Sequence, residues 1–299
     1  MISIPCYPHC IPLTFEVADS LCKTLKTQTD GISEFTFGHL YFFRNYYRYT
    51  VSAFSNTGII VSGTDKGVPF FFIPSGIVSL DVVQELLKTY SDWKFISESF
   101  IIDNRIVFEQ LGCSAKEDRD NFDYVYMKES LSTLAGKKLH KKKNHVNGFL
   151  QNYPDFSVKP LSVHTAADAN TVLNYWAAEQ QNLVETDYTA AKEALLRIAE
   201  TDMLGNVLYV QNEPVAWCLA ELTAKDTTAV VHFEKARSDF RGAYQYINYA
   251  FAQSLPDTVV YINREQDLGD EGLRHAKMSY RPEKFIKKYR LTQGVTVKE

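Results

Sequence analysis

The chain has 299 residues, 45% of them apolar and 13% aromatic, and a formal net charge of -4. That length and apolar content supply cores for two domains and exclude global disorder, while the acidic balance means that any polyanion must meet a local basic patch. The five cysteines, Cys6, Cys10, Cys22, Cys113 and Cys218, are scattered without a CxxC pair, which excludes a disulfide framework and suits a reducing compartment.

The start of the chain, MISIPCYPHCIP, has neither the basic nor the continuous apolar region of a signal peptide. The run 68–73 is among the longest apolar stretches and falls far short of a bilayer span. A cytoplasmic protein without a transmembrane segment is the expectation. Cys6, His9 and Cys10 form at most half a metal site, and no second half follows, so free thiols and no metal are expected.

Val17, Leu21 and Leu25 recur at helical spacing and predict a helix over 16–27. Aromatic residues crowd 34–49 and predict a core-facing element. Strand-like runs at 48–54, 58–62 and 68–73, the last two joined by a turn at 64–67, predict an antiparallel meander. Ser79 is the expected cap of a helix over 80–90, with Val82, Val83, Leu86 and Leu87 on its apolar face and Val78 stapled onto Val83. A strand at 95–97, a helix at 101–111 and a strand at 122–127 complete the first half.

Residues 131–152 predict a long basic helix that bridges the halves despite Gly136 and Gly148. Beyond it come a strand at 156–161 and helices at 166–180 and 190–200, the second capped by Thr189. Strands follow at 206–211, 215–222 and 228–236, the first two joined by a turn at 212–214. A helix at 244–254, a strand at 258–262 and a helix at 268–278 close the series. The two halves share an element order but barely any residue identities, so any duplication is one of architecture. A boundary between domains 1–130 and 131–299 is expected.

The stretch 261–282 sets Arg264, Arg274, Lys277 and Arg281 among Glu265, Asp267, Asp270 and Glu271. It begins at the carboxyl end of a strand, with Asn263, Arg264 and Glu265, the place where open α/β sheets hold ligands. Asp267 is the expected N-cap of the helix that follows. Arg274 and Lys277, three apart on one helix face, with Tyr280 and Arg264, make a candidate pocket for a phosphate or an oxyanion. The same charges can equally pair among themselves. Lys137, Lys138, Lys141, Lys142 and Lys143 form the strongest basic cluster, a candidate surface for tRNA phosphates or anionic lipid headgroups or simply a solvated helix face.

Three stretches carry a resemblance: GKKLHKKKNHVNGFLQNYPDF (136–156), HFEKARSDFRGAYQYIN (232–248) and NREQDLGDEGLRHAKMSYRP (263–282). They are similar to a family of soluble bacterial proteins related to the C-terminal domain of phosphatidylglycerol lysyltransferases. The element order resembles a tandem pair of GNAT acyltransferase folds. The resemblance implies a mixed α+β protein of two GNAT-like domains, each a largely antiparallel sheet flanked by helices. It implies an acyltransferase, with aminoacyl transfer from charged tRNA to an amine or hydroxyl acceptor as the leading expectation and an anionic phospholipid surface as a second partner. In the GNAT fold the junction at 236–243 presents a helix N-terminus to a pyrophosphate. Only one glycine, Gly242, stands here, and Arg241 offers a charged donor instead.

Period-two alternation along 228–236 places Val230, His232 and Glu234 on one face. Glu234 is the leading candidate for a general base, with Glu265 and Asp267 as competitors. The alternative role of Glu234 is to pair with Arg264 or Arg241 and hold two loops together. A carboxylate mechanism requires neither metal nor redox cofactor. Two other readings stand beside it: an acyl-CoA-dependent N-acyltransferase, which would bind coenzyme A at Arg241 and Gly242, and a non-catalytic module for tRNA or anionic lipid.

Overall fold

A computed structural model describes residues 3–25, 30–54, 58–112 and 115–292. In chain order its strands are β1 (Ile11–Pro12), β2 (Thr50–Ala53), β3 (Ile59–Asp65), β4 (Val68–Ser75), β5 (Asp92–Ile96), β6 (Lys116–Glu117), β7 (Asp123–Met127), β8 (Phe156–Pro160), β9 (Leu204–Val210), β10 (Glu213–Thr223), β11 (Thr228–Ala236), β12 (Tyr261–Asn263), β13 (Lys284–Ile286) and β14 (Tyr289–Thr292). They build two seven-stranded sheets, ordered β1-β2-β3-β4-β5-β14-β6 and β13-β7-β12-β11-β10-β9-β8. Each is largely antiparallel and contains a parallel pair, β4 with β5 and β11 with β12. In each, a helix connects the parallel strands, Leu80–Thr89 in the first and Ala243–Ser254 in the second. The architecture is the mixed α/β, tandem GNAT-like one that the sequence implies.

The compact units do not divide at 130/131. The first comprises 1–123, 266–269 and 286–299, and the second 124–265 and 270–285. The cause is strand exchange along the chain. β7, expected in the first half, pairs with β12 through Met127–Tyr261, Tyr126–Ile262 and Val125–Asn263. β14 returns to the first sheet and pairs Leu291 with Trp93 and Thr292 with Asp92.

In the first unit β4 is buried on both faces, as its uninterrupted apolar run requires. Phe71 stacks on Trp93 at 5.3 Å on one face, while Phe70 and Phe72 meet Tyr49 and Phe95 on the other. The aromatic run becomes two short helices, Phe37–Phe42 and Arg44–Tyr47. The meander and the Ser79 cap are as predicted, with Ser79 Oγ accepting from Val82 N–H. The helix expected at 101–111 is broken at Asn104, whose Oδ1 accepts from Val78 N–H at 2.9 Å.

The second unit's core gathers Tyr124, Tyr126, Phe149, Cys218, Val231, Ile247 and Phe251. The basic segment is two helices, Lys128–Thr133 and His140–Asn152, because Leu134 and Gly136 take positive φ between them. Thr189 caps nothing: the helix Tyr188–Leu196 starts at Asp187. The turn expected at 212–214 lies at Gln211 and Asn212, both at positive φ, and Pro214 is already within β10. The last helix is Glu271–Met278, and its N-cap is Asp270, not Asp267. The cysteines Cys6, Cys10 and Cys218 are free thiols, and Cys113 lies outside the described residues. Among the described residues no helix is long and apolar enough to cross a membrane.

Candidate functional site

The site grows from the way β11 and β12 part. Their parallel ladder lasts only through Thr228–Tyr261, Ala229–Ile262 and Val230–Asn263. β11 then runs on to Ala236, while the chain leaves β12 after Asn263. The next two residues lace the gap from opposite sides. Arg264 Nη2 donates to Glu234 Oε1 at 2.9 Å. Glu265 Oε1 lies 2.7 Å from His232 Nδ1.

A β-bulge decides which side each carboxylate takes. β10 pairs Leu219 with Phe233 and Ala220 with Val231, leaving His232 as the extra residue. The expected alternation is therefore broken. Glu234 shares a face with Val231, not with Val230, because paired residues Cys218–Glu234 and Ala220–Val231 point the same way. Glu221, paired with Val230, lies on the opposite face, and there His232 Nε2 stands 3.3 Å from Glu221 Oε2.

His232 is thus a buried imidazole with a carboxylate at each ring nitrogen. Burial is the largest influence and pushes its pKa down, but the carboxylates of Glu221 and Glu265 outweigh it and hold the pKa at about 9. At neutral pH the ring is protonated: Nδ1 donates to Glu265, while Nε2 faces Glu221 at 3.3 Å without forming a hydrogen bond. Glu265, expected as a possible base, is committed to this ion pair, and its own N–H is tied to Asn263 Oδ1 at 2.8 Å.

On the other face, Glu234 has both oxygens engaged, Oε1 by Arg264 and Oε2 by Asn248 Nδ2 at 3.2 Å. Its partner is Arg264, not Arg241, which is exposed in the loop. The guanidinium of Arg264 stands 4.9 Å from the Tyr280 ring centre. Lys277, expected to reach a ligand, instead donates to the Arg264 carbonyl at 2.6 Å, and Tyr126 Oη donates to the Lys277 carbonyl at 2.8 Å. Asn263 is fully buried beside them. Arg274 sits half-exposed on the last helix, its N–H bonded to Asp270 O. Asp267 belongs to the first unit. It is fully buried, bonded to Arg119 at 3.2 Å and to Gly269 N–H at 2.9 Å.

The junction at 236–243 is held shut by Arg237, which binds both Glu213 and Asp239. Gly242 has φ +91, and a Cβ there would stand 2.8 Å from His145 O and 3.1 Å from Phe149 Cβ. The helix His140–Asn152 therefore packs against this turn, and the glycine answers a close backbone approach.

Lys137 and Lys138, in the 3-10 turn Lys137–Leu139 before that helix, and Lys141 and Lys143 on it are exposed, whereas Lys142 is half-buried. Lys142 Nζ lies 4.2 Å from the Tyr280 ring centre, so the basic run reaches the Arg264 cluster through this one side chain. Leu134, Gly136, Lys137, His140 and Lys143 line a cavity of about 520 Å³. Sequence reasoning missed Asn248, Tyr126, the His232–Glu221 contact and the inward turn of Lys142. An asparagine inside the apolar stretch 243–252 and a histidine inside an apolar strand were visible signals for two of them.

Comparison with known proteins follows the same line. A conserved protein of unknown function from Bacteroides thetaiotaomicron VPI-5482 is 27% identical, with a TM-score of 0.83 over 94% of this chain and 98% of that one. The C-terminal domain of a proposed lysylphosphatidylglycerol synthetase from Agrobacterium fabrum, 13% identical, shares the fold with a TM-score of 0.65 over 94% and 93%. An uncharacterized protein of Mycoplasmoides gallisepticum is 24% identical over 173 residues, 56% of this chain, and the chain covers 54% of its length. The family profile described as phosphatidylglycerol lysyltransferase, C-terminal, matches residues 26–292. The chain belongs to that phosphatidylglycerol lysyltransferase C-terminal family, whose membership supports an acyltransferase-like role.

Proposed function

We propose that the second unit transfers an aminoacyl group from charged tRNA to an amine or hydroxyl acceptor, in the cytoplasm and without a metal or redox cofactor. The observation that carries this reading is the Glu234–Arg264 pair, set where β11 and β12 part and beside Tyr280. In the proposed step the acceptor's N–H or O–H proton passes to Glu234 as its lone pair attacks the ester carbonyl. Arg264, turning from Glu234 to the developing oxyanion, stabilises the tetrahedral intermediate. The proton then passes to the departing ribose hydroxyl. The exposed lysines and the cavity beside Lys137, His140 and Lys143 supply phosphate contacts for the donor. The family description supports an anionic phospholipid as the acceptor-bearing surface.

A binding-only reading has one observation in its favour, since both Glu234 oxygens already have partners. Purified protein incubated with radiolabelled aminoacyl-tRNA and vesicles containing phosphatidylglycerol tests the choice. Label in lipid, lost in Glu234→Gln, supports transfer. Salt-sensitive tRNA binding without any label moving, and unaltered when Glu234, Glu265 and Asp267 are changed together to their amides, establishes the binding module. A thermal shift with coenzyme A alone would overturn both.

A further inference from the structure

We infer that His232 is a positioning residue of the proposed transfer site: its imidazolium grips Glu265 on one face of β11 and so holds the preceding residue, Arg264, in place on the other. The inference deepens the transfer reading and rests on it. Residues 264 and 265 leave β12 and straddle β11, with Arg264 reaching Glu234 at 2.9 Å and Glu265 reaching His232 at 2.7 Å. The His232 side of this clamp is a built feature on three counts. His232 is the extra residue of the β-bulge, and bulges beside functional sites re-aim single side chains. Here the bulge sends the imidazole toward Glu265 and leaves Glu234 on the opposite face. Glu265 has φ +55, a left-handed backbone that a residue with a side chain keeps where its surroundings impose it. Both ends of that residue are tied, its N–H to Asn263 Oδ1 at 2.8 Å and its carboxylate to His232 Nδ1. The imidazole side chain is also fully buried, where a charge is tolerated because carboxylates face it.

The grip depends on the ring's second proton. The charged groups facing the ring are Glu221 of β10, 3.3 Å from Nε2, and Glu265 of the turn, 2.7 Å from Nδ1. The imidazolium presents an N–H toward each, whereas a neutral ring has one N–H for two carboxylates. A proton kept at Nε2 gives up Glu265, and a proton kept at Nδ1 leaves a bare Nε2 lone pair against a Glu221 oxygen. Either arrangement loosens the clamp. With the pKa of His232 held at about 9, the clamp is closed at neutral pH. In the transfer step Arg264 leaves Glu234 for the developing oxyanion, and the turn loses its side-chain bond on that face. The His232 bond to Glu265 and the Lys277 bond to the Arg264 carbonyl then keep the backbone still. Oxyanion stabilisation requires that preorganisation.

The test follows Arg264 and transfer together. In wild-type protein labelled with nitrogen-15 in histidine and arginine, the His232 ring and Arg264 Nε–H signals are recorded from pH 6 to pH 10. The Arg264 signal should shift as His232 loses its proton near pH 9, while that of Arg197, paired with Glu200, should not follow it. Transfer from aminoacyl-tRNA, with spontaneous hydrolysis of the donor subtracted, should fall about tenfold across the same window through kcat, with KM for tRNA within about twofold. His232→Gln and Glu265→Gln should each be about tenfold slower at pH 7, again in kcat, and should lack the decline near pH 9. Should either variant fail to fold, the wild-type titration decides. An Arg264 signal that stays put while the ring loses its proton overturns the inference, as does wild-type transfer by His232→Gln at pH 7 and pH 9. Coupled titration of His232 and Arg264 without transfer at any pH leaves the clamp standing and sinks the transfer reading. Transfer that is lost in Glu234→Gln but indifferent to His232→Gln does the reverse.

Discussion

Arg264 and Glu234 meet at 2.9 Å across the gap between two strands, and each is at least five-sixths buried. Removing one partner strands the other charge. Glu234→Ala should therefore cost about 3 kcal/mol of stability in urea denaturation, so loss of activity in that variant cannot by itself identify a base. Glu234→Gln keeps the shape and a hydrogen-bond acceptor for Arg264. If Glu234 is the base, Glu234→Gln should lower transfer at least about a hundredfold while its urea midpoint falls less than that of Glu234→Ala.

His232 makes stability depend on pH in a definite direction. Its pKa is raised from an ordinary 6.5 to about 9 in the folded chain. The contribution is therefore fully present below pH 6.5 and is lost as pH rises through 9. The total is about 3 kcal/mol. Urea midpoints measured from pH 6 to pH 10 should fall across that window in the wild type and fall much less in His232→Gln.

Gly242→Ala should destabilise the second unit by about 2 kcal/mol or more. The residue has φ +91, and its new methyl would meet His145 O at 2.8 Å. An unchanged midpoint would mean that the helix His140–Asn152 does not press on this turn.

In the first unit, Lys288 is fully buried and donates to Asp123 Oδ1 at 2.7 Å and to Glu34. Lys288→Met should cost about 3 to 5 kcal/mol, because two buried carboxylates lose their cation. Lys288→Met combined with Asp123→Asn should recover part of that. Glu34 acts against stability at higher pH. Burial is the largest influence on it and raises its pKa from 4.5 to about 7 against the pull of Lys288. The folded chain thus binds that proton more tightly than the unfolded one, and stability declines as pH rises from 4.5 through 7. Glu34→Gln should flatten this decline in the same urea series.

What was legible in the sequence was local. Ser79, the meander turn and the apolar faces of the helices act within a few residues, and periodicity exposes them. The Glu234–Arg264 pair was also foreseeable as one of two partners for that carboxylate. The bulge at His232 was not, because the register of β11 is set by β10, and one extra residue exchanges the faces of everything beyond it. Asp267 and Asp270 are equally good caps by composition. Distant Arg119 claims the first and leaves the second to the helix. The inward turn of Lys142 depends on Tyr280, more than a hundred positions away, and a run of five lysines does not say which one is different.

The placement of β14 between β5 and β6 has a consequence for how the protein is made. The first sheet contains residues from β1 near the start of the described chain and from Tyr289–Thr292 near its end. During synthesis the strands up to β6 emerge first, yet β5 must wait with an unpaired edge while all of the second sheet is translated. The second unit, whose strands are contiguous from β7 to β13, can finish first. The usual order of folding from the N-terminus is thereby reversed. Until the last strand arrives, that open edge of β5 is the segment a ribosome-bound chaperone would have to guard.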